Sequence, residues 1–219
     1  MILFSLTNGF YVNEKLNLKC NINNGLSTKE LIEIQKIFNT HYKTEYLSYD
    51  YKNNESGLLI VRNYLDDINC NNILNEINNL NFLKINETDF FFNDTMENIY
   101  LNNYKNKLLK KINYNKNDLL YLIAKYNNNH GVKPHGDLYR NQLMTLYLNN
   151  NNIPLKMKFG WIKNKIYQPC KVYDKIVINN GDLIIYSEKT IGNDYLDNNI
   201  SYKMCHCLND TKLMSYRRC

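Results

Sequence analysis

Leu119-Leu120-Tyr121-Leu122-Ile123-Ala124-Lys125-Tyr126, followed after a short gap by Pro134-His135-Gly136-Asp137, is where the character of this chain changes. The eight-residue apolar run has the length and aromatic content of a buried strand. Beyond it come further short runs, Leu143 to Leu148, Ile176 to Ile178, Leu183 to Tyr186, Ile200 to His206 and Lys212 to Arg218. Clusters of Asn, Gly, Pro or Asp separate them and read as turns. Upstream the signals are helical. Ser27-Thr28-Lys29-Glu30 matches a capping box, and Leu31, Ile34 and Phe38 repeat at helical spacing, which predicts an amphipathic helix over residues 27 to 39. Gly57-Leu58-Leu59-Ile60-Val61 reads as a short buried strand, and Asp66 as the N-cap of a helix with Ile73, Leu74 and Ile77 turned inward. Tyr100, Tyr104, Leu108 and Ile112 predict another helix over 100 to 112. Helices first and many strands after predict an α+β fold whose second half is a sandwich or barrel.

A chain of 219 residues with 44% hydrophobic content can bury a sizeable core, and no low-complexity linker divides it, so one domain is expected. The net charge of +6 is spread along the sequence, which admits an anionic substrate without pointing to one. The heavy use of Asn, Lys, Ile and Tyr reads as a coding bias. Six cysteines form no C-x-x-C pair. Cys205-His206-Cys207 is too cramped for both thiols to join the imidazole on one metal, because alternate strand residues face opposite sides. Reduced thiols are expected. Residues Met1 to Thr7 lack the basic start of a signal peptide and no run has the length of a membrane span, so an intracellular, cytoplasmic protein without membrane contact is expected.

There are only four histidines. His135 and Asp137 stand two residues apart on an extended segment and so point the same way, and His206 is the one histidine in the later, strand-rich part. Together they can cap one face of a metal ion and leave its other positions open, the 2-His-1-carboxylate arrangement of non-haem Fe(II) oxygenases. His130 is a rival ligand, although Gly131 and Pro134 suggest a bent loop and a surface histidine. His41 has no nearby partner in the sequence. Trp161, after Phe159-Gly160, is expected in the core.

Taken in order, these motifs resemble the Fe(II)- and 2-oxoglutarate-dependent oxygenase superfamily over roughly residues 57 to 218. Gly57 to Leu65 is similar to the strand and Asn-aromatic-Leu step that precede its core, and Leu122 to Tyr126 with Pro134 to Asp137 to its tyrosine-bearing strand and iron motif. Thr145-Leu146-Tyr147-Leu148-Asn149 resembles the next strand of prolyl-hydroxylase relatives, and Asn180-Gly181-Asp182 followed by Leu183 to Tyr186 the stretch before the distal histidine. The resemblance implies a double-stranded β-helix (jelly-roll) core with amino-terminal helices packed on one sheet. Residues 57–219 would be the oxygenase domain and 1–56 an amino-terminal extension of the same domain.

The resemblance also implies an enzyme that holds Fe(II) through His135, Asp137 and His206 and uses 2-oxoglutarate and O₂. Tyr126 would donate its hydroxyl to the cosubstrate. A basic residue on the last strand, Lys212, Arg217 or Arg218, would pair with the far carboxylate. Leu213-Met214-Ser215-Tyr216-Arg217 resembles the closing strand of AlkB-type enzymes, and the planar arginine fork suits a carboxylate, which favours Arg217. An AlkB-type enzyme oxidises alkylated bases in DNA or RNA. A prolyl-hydroxylase-like enzyme takes a peptide, a reading that Arg140 and Thr145 to Asn149 suit better. A third reading, from a different class, is a binding protein that keeps the barrel without iron chemistry.

Overall fold

The computed structural model describes residues 2–10, 25–85, 88–93, 99–113, 119–126, 131–136, 140–151, 153–163, 168–192 and 201–209. In chain order the elements are β1 (Ile2–Phe10), α1 (Thr28–Asn39), β2 (Thr44–Ser48), β3 (Gly57–Val61), α2 (Asp67–Asn78), β4 (Leu83–Ile85), β5 (Thr88–Asn93) and α3 (Ile99–Lys111). There follow β6 (Leu119–Tyr126), β7 (Val132–His135), β8 (Arg140–Leu148), β9 (Leu155–Lys163), β10 (Gln168–Val172), β11 (Ile176–Ile178), β12 (Leu183–Tyr186) and β13 (Tyr202–Leu208).

Local chemistry sets the helices where the sequence puts them. The Ser27 hydroxyl accepts from the Glu30 N–H at 3.2 Å while the Glu30 carboxylate accepts from the Ser27 N–H at 2.7 Å, so the capping box is complete. Asp66 caps α2 by accepting from the Asn69 N–H at 2.8 Å, and Ile73, Leu74 and Ile77 are buried. The third helix forms, but Tyr100 is 48% exposed and Leu101 takes the inward place expected for it. Three successive four-residue steps drift by roughly 120° around a helix of 3.6 residues per turn, so Tyr100 cannot share a face with Ile112. The Glu76 carboxylate of α2 also fixes the start of α3, accepting from the N–H groups of Tyr100 and Leu101 at 3.0 and 3.1 Å.

The architecture is mixed α/β, with two mainly antiparallel sheets. The larger runs β2-β3-β12-β8-β1-β6-β5-β4 and the smaller β10-β9-β13-β7, with β11 also paired to β9. From β6 onward the chain alternates between them: β6, β8 and β12 lie in the large sheet, and β7, β9 to β11 and β13 in the small one. Strand parity builds two cores. Leu59, Val61, Leu183 and Ile185 face the three helices, while Leu58, Ile60, Ile184 and Tyr186 face the small sheet, where they meet Phe159, Trp161, Met204 and Leu208. Trp161 is fully buried, as expected.

Strands in the first half depart from the expected order of helices before strands. β1 lies in the middle of the large sheet, paired along its length with β6 and β8. The strand expected over 200 to 206 runs instead from Tyr202 to Leu208, its extent set by pairing with β9 from Lys163 to Met157. The strand expected over 212 to 218 lies outside the described residues. Among the described residues, no helix is long and apolar enough to cross a membrane.

The Asn180-Gly181-Asp182 motif has a structural account. Gly181 has φ +80°, and a Cβ there would sit 2.2 Å from the Leu65 carbonyl oxygen. Asp182, with its side chain 1% exposed, accepts from Arg62 Nη1 at 2.6 Å, from the Asn63 N–H at 2.9 Å and from the Asn179 N–H at 2.8 Å. Asn63 reaches it with φ +50°, a conformation that asparagine tolerates better than most residues. The other edge of the Arg62 guanidinium grips Glu45 through Nε and Nη2 at 3.0 and 2.8 Å. These hydrogen bonds from Arg62 hold the Glu45 carboxyl below the usual carboxylate range.

Candidate metal centre

The candidate centre is built where β7 meets β13. His206 and His135 are directly opposed in the antiparallel register, and Leu208 opposes Val132. Three steps along β7 therefore span two steps along β13, which is a β-bulge. In a regular strand Val132 and His135 would face opposite ways. The bulge re-aims His135, so that Val132 packs on the core between the sheets and the His135 ring still meets the His206 ring.

His206 faces the space between the sheets, because Met204 and Leu208, which share its parity, belong to that core. It is 6% exposed, and its ring centre lies 5.9 Å from that of Phe159, its cross-strand partner on β9. The His135 and His206 ring centres are 4.5 Å apart, with planes inclined at 49°. Two imidazoles at right angles on one ion, each with its nitrogen about 2.1 Å away, hold their ring centres roughly 4.5 Å apart. That spacing has room for two adjacent ligands on a single metal, and it is also the spacing of an ordinary ring contact between opposed residues.

Close backbone packing brings a turn down onto this end of the sandwich. Gly192, in the turn after β12, has φ +71°, and a Cβ on it would lie 2.3 Å from the Met204 carbonyl oxygen and 2.9 Å from Gly136 Cα. Gly136 follows His135, and Met204 precedes His206 by two residues. Tyr126, at the end of β6, is partly buried against the same inter-sheet core, whereas its neighbour in parity opposition, Ile123, faces the helices. Tyr126 thus lies on the inter-sheet side of the large sheet, the side that His206 faces from the small one.

Other expected site residues are not among those described: Asp137, Lys212, Arg217, Arg218 and the rival ligand His130 all lie outside the described residues. Among the described residues, no three His, Cys, Asp or Glu side chains come together as a metal-holding group. His41 is exposed in the turn after α1, on the helical side. The thiols of Cys205 and Cys207 belong to the opposite face of β13 from His206, as strand parity requires. Cys205 is buried and unbridged, and its thiol bonds the Gly160 carbonyl oxygen at 3.3 Å. Burial first, with Cys207 and Cys170 beside it, pushes that thiol up to about 12, which leaves it unreactive at neutral pH.

A cavity of about 410 Å³ opens on the helical side of the large sheet, lined by Tyr42, Tyr64, Asn69, Tyr100, Asn103 and Lys107 among others. Size alone would favour it as a ligand site. Its lining holds no histidine or cysteine. Two residues of the inter-sheet space were not signalled by the sequence, Phe159 against His206 and Tyr49 stacked on Phe159. The alternation of Leu155, Met157, Phe159 and Trp161 along β9 is the pattern that could have found the first.

A scan against protein-family models matches none to this chain, and a search of curated proteins returns no similar sequence.

Proposed function

We propose that this chain is an Fe(II)- and 2-oxoglutarate-dependent dioxygenase whose metal ligands are His135, Asp137 and His206. The observation that carries the reading is the opposed histidine pair, turned between the sheets by the β7 bulge with its ring centres 4.5 Å apart. Asp137, two residues beyond His135, would complete a facial set of two imidazoles and a carboxylate. Held there, Fe(II) would supply the redox chemistry that couples oxidative decarboxylation of 2-oxoglutarate by O₂ to hydroxylation of a substrate, releasing succinate and CO₂. The protein's own contribution is an apolar, water-poor space in which Phe159 backs His206 and Tyr126 can donate to the cosubstrate.

The alternation of the chain between sheets from β6 to β13 supports reading the core as a double-stranded β-helix of the jelly-roll kind. β1 fills the centre of the large sheet, so a carboxyl-terminal strand over 212 to 218 would find only the edges β2, β4, β7, β10 and β11 to join among the described strands. Of these, β7 carries His135. Such a strand beside β7 would bring a basic residue to the cosubstrate, and Arg217 is our choice. Arg217→Ala should raise the KM for 2-oxoglutarate at least tenfold with iron binding retained, as expected when a charge-assisted bond worth about 1.5–3 kcal/mol is removed. An effect confined to Lys212→Ala or Arg218→Ala would move the assignment to that residue.

The substrate we favour is an alkylated base in single-stranded DNA or RNA, with a proline-containing peptide as the alternative. Succinate release, measured with Fe(II), ascorbate and 2-oxoglutarate, should rise when methylated single strands are added. A rise with peptides instead would select the hydroxylase branch. Well-folded protein that binds no Fe(II) and releases no succinate under any condition would leave the binding-protein reading in its place.

A further inference from the structure

The cavity on the helical side of the large sheet has no part in the chemistry above. One face of α3 lines it: Tyr100, Asn103, Tyr104 and Lys107 stand at the i, i+3, i+4, i+7 spacing of a single helical stripe. Leu101 and Leu108 fill the core beside that stripe, so the cavity face itself keeps two phenols, an amide and an ammonium. At about 410 Å³ the space falls at the small end of the range of about 300–1,000 Å³ that holds compact ligands, which suits one small molecule and excludes a strand or a peptide.

Its aromatic side is a wall rather than a cage. Tyr42 contacts Tyr64 with ring centres 5.3 Å apart, and Tyr64 contacts Tyr104 at 5.7 Å, so the three rings are continuous and fixed by one another. Burial first, then Tyr42, raises the Tyr64 hydroxyl to about 12, and burial holds that of Tyr104 well above its ordinary value, so the wall is uncharged at neutral pH. Lys111 already lies over the Tyr42 and Phe38 rings at 4.7 and 4.9 Å. A cationic ligand would meet that ammonium and the one on Lys107, whereas a flat neutral ring finds a stacking surface.

The polar groups define the rest of the ligand. Asp66, the one carboxylate of the lining, is committed to capping α2, where it accepts from the N–H and the side-chain amide of Asn69 at 2.8 and 2.9 Å. That bond uses the Asn69 amide nitrogen and leaves its oxygen to accept. Asn103 and Lys107 are exposed, and neither side chain forms a hydrogen bond or ion pair among the described residues. Side-chain amides pair with the donor and acceptor edge of a heterocycle, and an ammonium pairs with an anion. Asn103 and Lys107 lie one turn apart on α3, so the edge and the anion belong to one ligand.

We propose that this cavity binds a purine nucleoside monophosphate, with its base on the tyrosine wall, the base edge at Asn69 and Asn103, and its phosphate at Lys107. The site lies across the large sheet from His206, which faces the space between the sheets, and it is separate from the candidate metal centre.

Equilibrium dialysis of the full chain against AMP and GMP tests this without iron or 2-oxoglutarate, so the proposal and the oxygenase reading stand or fall separately. The wild type should bind at least one of the two nucleotides, and the matching nucleoside about tenfold more weakly. Lys107→Gln should weaken nucleotide binding about tenfold and leave the nucleoside unchanged, whereas Asn103→Ala and Tyr100→Ala should weaken both. All three positions are exposed, so the thermal midpoints of the ligand-free variants should match the wild type. No binding of either nucleotide at about 1 mM would overturn the proposal. So would inorganic phosphate bound as tightly as the nucleotide, 4-hydroxyphenylacetate bound more tightly, or wild-type affinity in all three variants.

Discussion

Asp137→Ala is expected to abolish iron-dependent release of succinate from 2-oxoglutarate while leaving the thermal midpoint of the metal-free chain unchanged. The carboxylate is the one anionic member of the expected ligand set, so its loss removes both a ligand and the charge that offsets Fe(II). Loss of an outer-shell partner alone costs about 10–100-fold in metal affinity, and loss of a direct ligand should exceed that. Titration of Fe(II) under nitrogen, followed by the succinate assay, checks both halves. His206→Ala should show the same loss of iron, but with a lower midpoint, because that imidazole is buried against Phe159. Wild-type iron affinity in Asp137→Ala would remove the carboxylate from the site, and His130 would become the next ligand to test.

The second large effect falls on stability rather than chemistry. Asp182→Ala would take the buried carboxylate from Arg62, leaving it Glu45 and the Val177 carbonyl, and leave the N–H groups of Asn63 and Asn179 without their acceptor. Removing one partner of a buried ion pair costs about 3–5 kcal/mol. For a domain of this size that is a fall of roughly 6–20 °C in Tm, at about 2–4 °C per kcal/mol. Asp182→Asn keeps an acceptor for the N–H groups and should lose less. Urea denaturation followed by circular dichroism measures the difference, and a loss below about 1 kcal/mol for the alanine variant would show that Glu45 and the Val177 carbonyl suffice to hold Arg62.

Features fixed by neighbours in the chain were legible from the sequence. The Ser27 box, the Asp66 cap and the buried runs 57–61 and 183–186 need only a few adjacent residues to declare themselves, and each appears as read. β9 was overlooked, although its inward residues alternate regularly, because Lys156, Lys158 and Gly160 break up the apolar signal. Pairing between distant segments leaves no local mark, so nothing in residues 2 to 10 announces the middle of a sheet. The histidine pair was legible in identity but not in mechanism. Parity along a regular strand is how the sequence aims His135, whereas the bulge in β7 sets its direction, and a bulge is visible only once the partner register is known. Tyr49 had no sequence signal, since one tyrosine among 19 is distinguished only by what surrounds it.

The position of β1 has a consequence for biosynthesis. Its residues pair with β6 and β8, more than a hundred positions further along the chain. At about 5–20 residues per second, a ribosome needs roughly 6–30 seconds after making β1 to supply those partners. Throughout that interval the apolar segment Ile2-Leu3-Phe4-Ser5-Leu6 has emerged without its neighbours, a natural target for chaperones and a seed for aggregation in rapid overexpression. Slower translation at low temperature should therefore improve soluble yield.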